Sequence, residues 1–270
     1  MTEGPAVPLD RPVLDAIAAL AALDGEGPVL VASDFDGVLA PLVDDPSASR
    51  PTPGASAALT RLAALPPGRA RTALVSGRNL AALAELSSPP AGVLLVGSHG
   101  AERGAVLGSG AVETLPFALE PDQADALRAV SDGLEAIAGP VDGAWVEHKP
   151  SAAVLHTRRC SPEDARRSVE AAVELGASLP VHTMQGKDVV EIAVVETSKG
   201  QAIDALRAEL GAVAVVYLGD DVTDERAFAV LHEGDLGIKV GPGETVARVR
   251  VSTTDDAAEV LAVLAEHLER

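Results

Sequence analysis

Val29-Leu30-Val31-Ala32-Ser33-Asp34-Phe35-Asp36-Gly37 is an apolar, partly β-branched run that stops abruptly on two acids and a glycine. A continuous apolar run of this length suits a strand buried on both faces, as in a parallel sheet covered by helices. The pattern recurs. Thr72-Ala73-Leu74-Val75 runs into Ser76-Gly77, Val93-Leu94-Leu95-Val96 into Gly97-Ser98-His99-Gly100, and Val213 to Leu218 into Gly219-Asp220-Asp221. Helical patterns over 53–65, 80–86 and 199–210 complete the alternation. The prediction is an α/β fold built on a doubly wound, Rossmann-like parallel sheet. Ligands of such sheets bind beyond the carboxyl ends of the strands, so the polar residues that end these runs are expected to converge on one crevice.

Between 116 and 193 the rhythm changes. Pro121 to Ile137 reads as a helix, and Ala144 to Lys149 and Ala152 to Arg158 as strands paired across Pro150-Ser151. Pro162 to Leu175 reads as a second helix, followed by strands near Val181 to Met184 and Asp188 to Val194. Helix, strand, strand, repeated, predicts a compact α+β unit of 116–193 inserted into a core of 1–115 and 194–270. Arg11 to Leu23 suggests one further helix near the start.

Composition narrows the function. The 270 residues suffice for a large core without staples. Forty acidic against 21 basic residues leave a net charge of −19, and the aromatic residues are only Phe35, Phe117, Trp145, Tyr217 and Phe228. Nucleic acid needs basic grooves and often stacking rings, so it is excluded as a partner, and an anionic membrane surface is disfavoured by the same field. A single cysteine, Cys160, rules out an intramolecular disulfide framework. No secretion-type leader and no apolar run near membrane-spanning length is visible, so a cytoplasmic location is expected.

The chemistry resides at the strand ends. In extended geometry, Asp34 and Asp36 project to one side while Phe35 points the other way into the core. Such a pair can divide the work of nucleophile and general acid/base, although a lone Asp-x-Asp-Gly serves equally as an Asx turn. Ser76 can donate to a phosphate oxygen, or simply cap the helix that begins near Asn79. Lys199 opens a helix, where a cation opposes the macrodipole unless an anion lies nearby; a solvated surface lysine is the plainer alternative. Asp221 can cap the next helix, yet Asp220, Asp221, Asp224 and Glu225 put four carboxylates into six positions, and their repulsion suggests a cation.

In this order, Asp34-Phe35-Asp36-Gly37-Val38-Leu39-Ala40-Pro41, Ser76-Gly77-Arg78, Lys199-Gly200 and Gly219-Asp220-Asp221-Val222-Thr223-Asp224-Glu225 resemble the motifs of haloacid-dehalogenase-type phosphatases. Glu147-His148-Lys149, His156-Thr157-Arg158, 97–102 and 186–192 are similar to the trehalose-6-phosphate phosphatases within them. The resemblance spans about 29–230. It implies a haloacid dehalogenase core with the insertion as cap, Asp34 as nucleophile, Asp36 as general acid and base, and Ser76 and Lys199 on the phosphate. It further implies Mg²⁺ held by Asp34, the Asp36 carbonyl and Asp220, with Asp221 and Asp224 in support. The sugar would be met by Glu147, Lys149, Arg158 and Glu191, with Lys187 and Arg78 nearby. The substrate implied is trehalose 6-phosphate, and the functional partner a trehalose-phosphate synthase. Without the resemblance, the charged residues of the insertion read first as a salt-bridged, solvent-facing sheet, and the resemblance reverses that preference. Sucrose 6-phosphate, a mannosyl-glycerate phosphate, or a silent sugar-phosphate-binding module are the alternatives. Val38 departs from the threonine usual after the glycine, which bears on rate rather than reaction type.

Overall fold

The computed structural model describes residues 9–21, 25–115, 119–195 and 197–270. The chain divides into two compact units, Met1–Leu115 with Thr197–Arg270, and Pro116–Glu196. The expected first boundary at 116 and the end of the expected first helix at 22–23 lie outside the described residues. The second crossing comes at 196/197, three residues beyond the expected 193, for a packing reason. Val194 is buried in the core of the inserted unit, and its N–H donates to Ser151 O at 2.9 Å.

The core unit begins with α1 (Arg11–Ala21), β1 (Val29–Ser33), α2 (Pro53–Ala63), β2 (Ala70–Val75), α3 (Leu80–Ser87), β3 (Leu94–Gly97), β4 (Glu102–Val106) and β5 (Val112–Leu115). The inserted unit follows as α4 (Pro121–Ala138), β6 (Trp145–Lys149), β7 (Ala152–His156), α5 (Pro162–Ala177), β8 (His182–Gly186) and β9 (Val189–Ala193). The chain returns to the core through α6 (Lys199–Leu210), β10 (Ala214–Gly219), α7 (Glu225–Phe228), β11 (Leu236–Val240), β12 (Val249–Val251) and α8 (Thr254–Leu268). Proline at the first helical position after a Thr52 or Ser161 cap starts α2 and α5, because proline lacks an N–H that would go unpaired there anyway.

The core sheet runs β12-β11-β10-β1-β2-β3-β4-β5. The strands from β12 to β3 pair in parallel, and β4 and β5 extend the edge antiparallel. The expected doubly wound parallel sheet is thus present, with a two-strand antiparallel edge added to it. The cause is local: a short helical turn at Ser98 and His99, both at positive φ, reverses the chain directly after β3. Alternate residues of β1 serve two cores. Val29 and Val31 pack with side chains of α1, α2 and α8, whereas Leu30 and Ala32 pack with Ile203 and Leu206 of α6 and with Phe228. Burial on both faces is why the run has no polar alternation. The path of the chain passes from β1 outward through β2 and β3 and returns to β10 on the other side of β1. That is the topological switch point, where a crevice opens at the carboxyl ends of the strands.

In the inserted unit, a β6-β7-β9-β8 antiparallel sheet packs one face on helices α4 and α5. Ala153, Leu155, Val190 and Ile192 point to the helices with Val130, Leu134 and Ala172. The opposite face therefore receives every second residue, including Trp145, Glu147 and Lys149. Among the described residues, no helix is long and apolar enough to cross a membrane.

Leu30 has no exposed surface. Leu30→Ala should destabilise the core unit by about 2–5 kcal/mol, the usual cost of a buried leucine cavity, as read from urea unfolding midpoints at unchanged m.

Candidate active site

Asp34 is the first residue past β1, where its N–H still bonds Leu218 O at 2.9 Å while its side chain clears the sheet. Its carboxylate accepts from Phe35 N at 2.6 Å and from Lys199 Nζ at 2.6 Å. Lys199 begins α6 after the Ser198 cap and is only 2% exposed. Its second partner is Asp224 Oδ1 at 2.8 Å, so the anion that justifies a cation at this helix start is a pair of carboxylates. Burial disfavours the Lys199 ammonium, but Asp34 and Asp224 outweigh it and hold its pKa above the usual lysine value.

Asp224 is completely buried and every lone-pair direction is occupied. Oδ1 accepts from Lys199 Nζ and from Tyr217 Oη at 2.7 Å, and Oδ2 accepts from the N–H groups of Asp220 (2.8 Å) and Asp221 (3.0 Å). Asp224 thus ties α6, β10 and the loop past β10 together. Asp221 caps that loop, accepting at Oδ1 from Thr223 N (2.8 Å) and Asp224 N (3.1 Å). Asp220 leans across the end of β1: a Cβ on Gly37 would fall 2.0 Å from Asp220 Oδ2, and Gly37 has φ +77°. The glycine of the Asp-x-Asp-Gly motif is required both for its backbone angle and for this approach.

Asp36 takes a bidentate grip from Arg78, Nε to Oδ2 at 2.6 Å and Nη2 to Oδ1 at 2.7 Å, and a bond from Ser49 Oγ at 2.8 Å. Arg78 also lies over the Phe35 ring, 5.7 Å from its centroid. Arg78, expected near the substrate, is thus engaged on Asp36. Ser76 sits at the end of β2, 2% exposed, and its hydroxyl accepts from Arg78 N at 3.2 Å. The cap of α3 is Asn79, accepting from Ala82 N at 2.8 Å, so the Ser76 hydroxyl is not needed there. His99 packs its ring against Gly77, with Cε1 2.6 Å from where a Cβ would stand.

The residues expected to meet a sugar lie in the inserted unit. Register places Glu147, Val154, Glu191 and Met184 in one row across the sheet, and Lys149, Ala152, Ala193 and His182 in another on the same face. Lys149 Nζ donates to Glu191 Oε2 at 2.7 Å. Glu147 Oε2 lies 3.0 Å from His156 Nε2, and His156 stacks on Trp145 at 4.6 Å between centroids and 3° between planes. Trp145 therefore shares the Glu147 face, with Arg159 5.3 Å above its ring. Arg158 lies in the turn beyond β7, since that strand ends at His156 rather than continuing to 158. Lys187 is exposed in the β8–β9 turn, which is paired with the same end of β7. Three participants carry no signal in the sequence: His156 as a partner of Glu147, the Tyr217 hydroxyl as a donor to Asp224, and Lys239, which donates to the backbone carbonyl of Asp220. Only proximity across strands marks them, because none belongs to a local motif for that contact.

Carboxylate oxygens of Asp34, Asp220 and Asp224 all lie within 4.8 Å of one another. Burial, above all, pushes Asp34 up to about 8 against the pull of Lys199, and Asp220 up to about 6 against Lys199 and Lys239. Hard oxygen donors gathered this closely, with their ionised form disfavoured by burial, fit a divalent cation that would restore it. Asp34 and Asp220 have ligand capacity to offer, whereas Asp224 has all its acceptor positions filled.

Paired acids past β1, an acidic loop past β10, and an inserted antiparallel α+β unit define the haloacid dehalogenase-like fold class. The chain belongs to the trehalose-phosphatase family, whose model matches residues 32–262. It is 35% identical over 251 residues to the trehalose-phosphate phosphatase of Mycobacterium avium (strain 104), covering 88% of this chain and 62% of that protein. The chain thus spans under two thirds of the length of that relative. It is 33% identical over 241 residues to the trehalose-6-phosphate phosphatase of Escherichia coli K12, covering 88% of this chain and 86% of that one. The trehalose-6-phosphate phosphatase structure from Aspergillus fumigatus (crystal form 3) superposes with a TM-score of 0.68 at 26% identity, covering 96% of this chain and 98% of the other.

Asp220 has a folded pKa of about 6 against an ordinary 3.8. Its contribution to stability is therefore full below about 3.8 and is lost as pH rises through about 6. In chelator, the melting temperature of the wild type should fall relative to Asp220→Asn as pH rises from about 4 to about 6. A divalent cation taken up by the Asp34–Asp220 cluster should reduce that fall in the wild type more than in the variant.

Proposed function

We propose that the protein is a Mg²⁺-dependent phosphatase that hydrolyses trehalose 6-phosphate to trehalose and phosphate through an aspartyl-phosphate on Asp34. The observation that carries this reading is the placement of Asp34 at the switch point, hydrogen-bonded to a buried lysine, with an arginine-held Asp36 two residues on. Family membership supplies the reaction class.

Asp34 attacks phosphorus through a carboxylate oxygen, and the sugar oxygen leaves on the opposite side. Asp36 is the assigned general acid and base: released from Arg78 and protonated from solvent, it would give that proton to the leaving oxygen and afterwards take one from the water that cleaves the acyl phosphate. Lys199 holds one oxygen of the nucleophile and offers its remaining positive field to the phosphoryl group, and the Ser76 hydroxyl donates to another phosphate oxygen. Mg²⁺, held by the carboxylates of Asp34 and Asp220 with the Asp36 carbonyl, supplies neutralisation of the phosphate charge when bound. Asp221 and Asp224 position the Asp220 loop and Lys199.

The inserted unit is assigned as the cap that selects the sugar. Its open sheet face joins Glu147 and Glu191, acceptors for sugar hydroxyls, to Lys149, a donor, and Arg158 and Lys187 add donors at one end. Paired as they stand, these groups are oriented for directed hydrogen bonds, the chemistry by which a polar ligand lacking a hydroxyl is rejected. A trehalose-phosphate synthase is the implied supplier of substrate.

The test is phosphate release from a panel of sugar phosphates with Mg²⁺ and with chelator. Trehalose 6-phosphate should dominate, chelator should abolish turnover, and Asp34→Asn should leave none; phosphate release by Asp34→Asn would remove the assigned nucleophile. Glu147→Ala should raise KM for trehalose 6-phosphate at least about tenfold, the worth of one charged hydrogen bond, while leaving a small aryl phosphate little changed. Equal effects on both substrates would count against the cap assignment.

A further inference from the structure

Lys239 lies within β11, where it is 3% exposed and stands opposite Gly219 in the parallel ladder. Its ammonium donates to the backbone carbonyl of Asp220, and it forms no ion pair among the described residues. A buried ammonium with a carbonyl as its acceptor is expensive to desolvate, so an apolar residue would serve packing better at this point.

The position explains the choice. β10 ends at Gly219, and the sheet ladder stops holding the chain there. The N–H and C=O of Asp220 need other partners. Asp224 Oδ2 takes the N–H at 2.8 Å, and Lys239 takes the C=O. Together they clamp the Asp220 backbone at both polar groups, leaving only the side chain free to turn. That side chain is the one pressed against Gly37, which restricts it further to the mouth of the Asp34 loop. Asp224 is tied to the nucleophile through Lys199, so it has a second duty. Lys239 has no other hydrogen-bond partner among the described residues.

We propose that Lys239 is a positioning residue for divalent-cation binding, pinning the Asp220 carbonyl so that the Asp220 carboxylate is presented beside Asp34. The proposal rests on Asp220 being a cation ligand, as assigned above. A lysine suits the task better than a polar side chain of β11 would, because its four-carbon stem runs along the apolar interior and brings three donors to a carbonyl beyond the end of the neighbouring strand.

The test compares wild type with Lys239→Met, which keeps the apolar stem and loses donor and charge, and with Lys239→Arg, which keeps donor and charge. Mg²⁺ affinity is read by isothermal titration calorimetry, and the melting temperature is read in chelator. Lys239→Met should bind Mg²⁺ about 10–100-fold more weakly, the usual effect of removing a group that orients a ligand. Its melting temperature in chelator should be unchanged or higher, because loss of a merely structural lysine would lower it. Lys239→Arg should recover most of the affinity. A folded Lys239→Met with wild-type or tighter Mg²⁺ affinity overturns the proposal. Should Lys239→Met fail to fold, Lys239→Leu takes its place, with the same loss of affinity expected and unchanged affinity again overturning the proposal. If wild type takes up no Mg²⁺, the cation reading of Asp34 and Asp220 falls first, and the role of Lys239 with it.

Discussion

The Lys199 ammonium sits between Asp34 and Asp224, 2.6 and 2.8 Å away, with almost no surface in water. Two carboxylates and one ammonium leave water together at a cost of several kcal/mol per ion. Such a cluster persists only when hydrogen bonds satisfy what the ion pairs do not. The Phe35 N–H, the Tyr217 hydroxyl and the N–H groups of Asp220 and Asp221 do so. These donors come from different places in the chain, so the cluster joins the end of β1, the start of α6, the body of β10 and the loop after it. Removing any member would strand a buried charge, and the others would lose their reason to hold position.

The scarcity of aromatic residues takes its meaning from the same cluster. Tyr217 meets Phe228 edge to face, 5.6 Å between centroids, which seats the ring and aims its hydroxyl at Asp224. Phe35 lies fully buried under Arg78. Trp145 stands in the inserted unit and braces His156, which braces Glu147. None of these rings merely fills a core. Each fixes a polar group whose direction matters, as outer partners do around reactive sites.

A net charge of −19 opposes the approach of an anionic substrate from afar. Near the site the balance is different. Lys199 pairs with Asp34 and with Asp224 of the acidic loop, Lys239 lies on the Asp220 carbonyl, and the remaining carboxylates suit a divalent cation. Arg158 and Lys187, at one end of the inserted sheet, add positive charge on the unit assigned to the sugar. On the exposed helices, pairs such as Arg166 with Glu170 are solvated and weak.

The apolar run into Asp34 and the similar runs at 72–75 and 213–218 determined the parallel strands, because burial on both faces removes polar alternation from the sequence itself. Strand-end acids, Ser76, Lys199 and the α+β rhythm of the insertion were legible for the same reason: their signals are local. The antiparallel β4–β5 edge was not, since it follows from left-handed backbone at Ser98 and His99, residue types that do not announce a positive φ. Nor was the partner of Arg78, the end of β7 before Arg158, the hydroxyl of Tyr217 or the tether from Lys239. Each of these depends on which strand end lies beside which, a distance set by sheet register and helix packing across tens to hundreds of residues. Residue types and spacing determined what chemistry the chain carries. Only the tertiary structure decided which carboxylate is held by arginine, which by lysine, and which carboxylates retain the capacity to bind a cation.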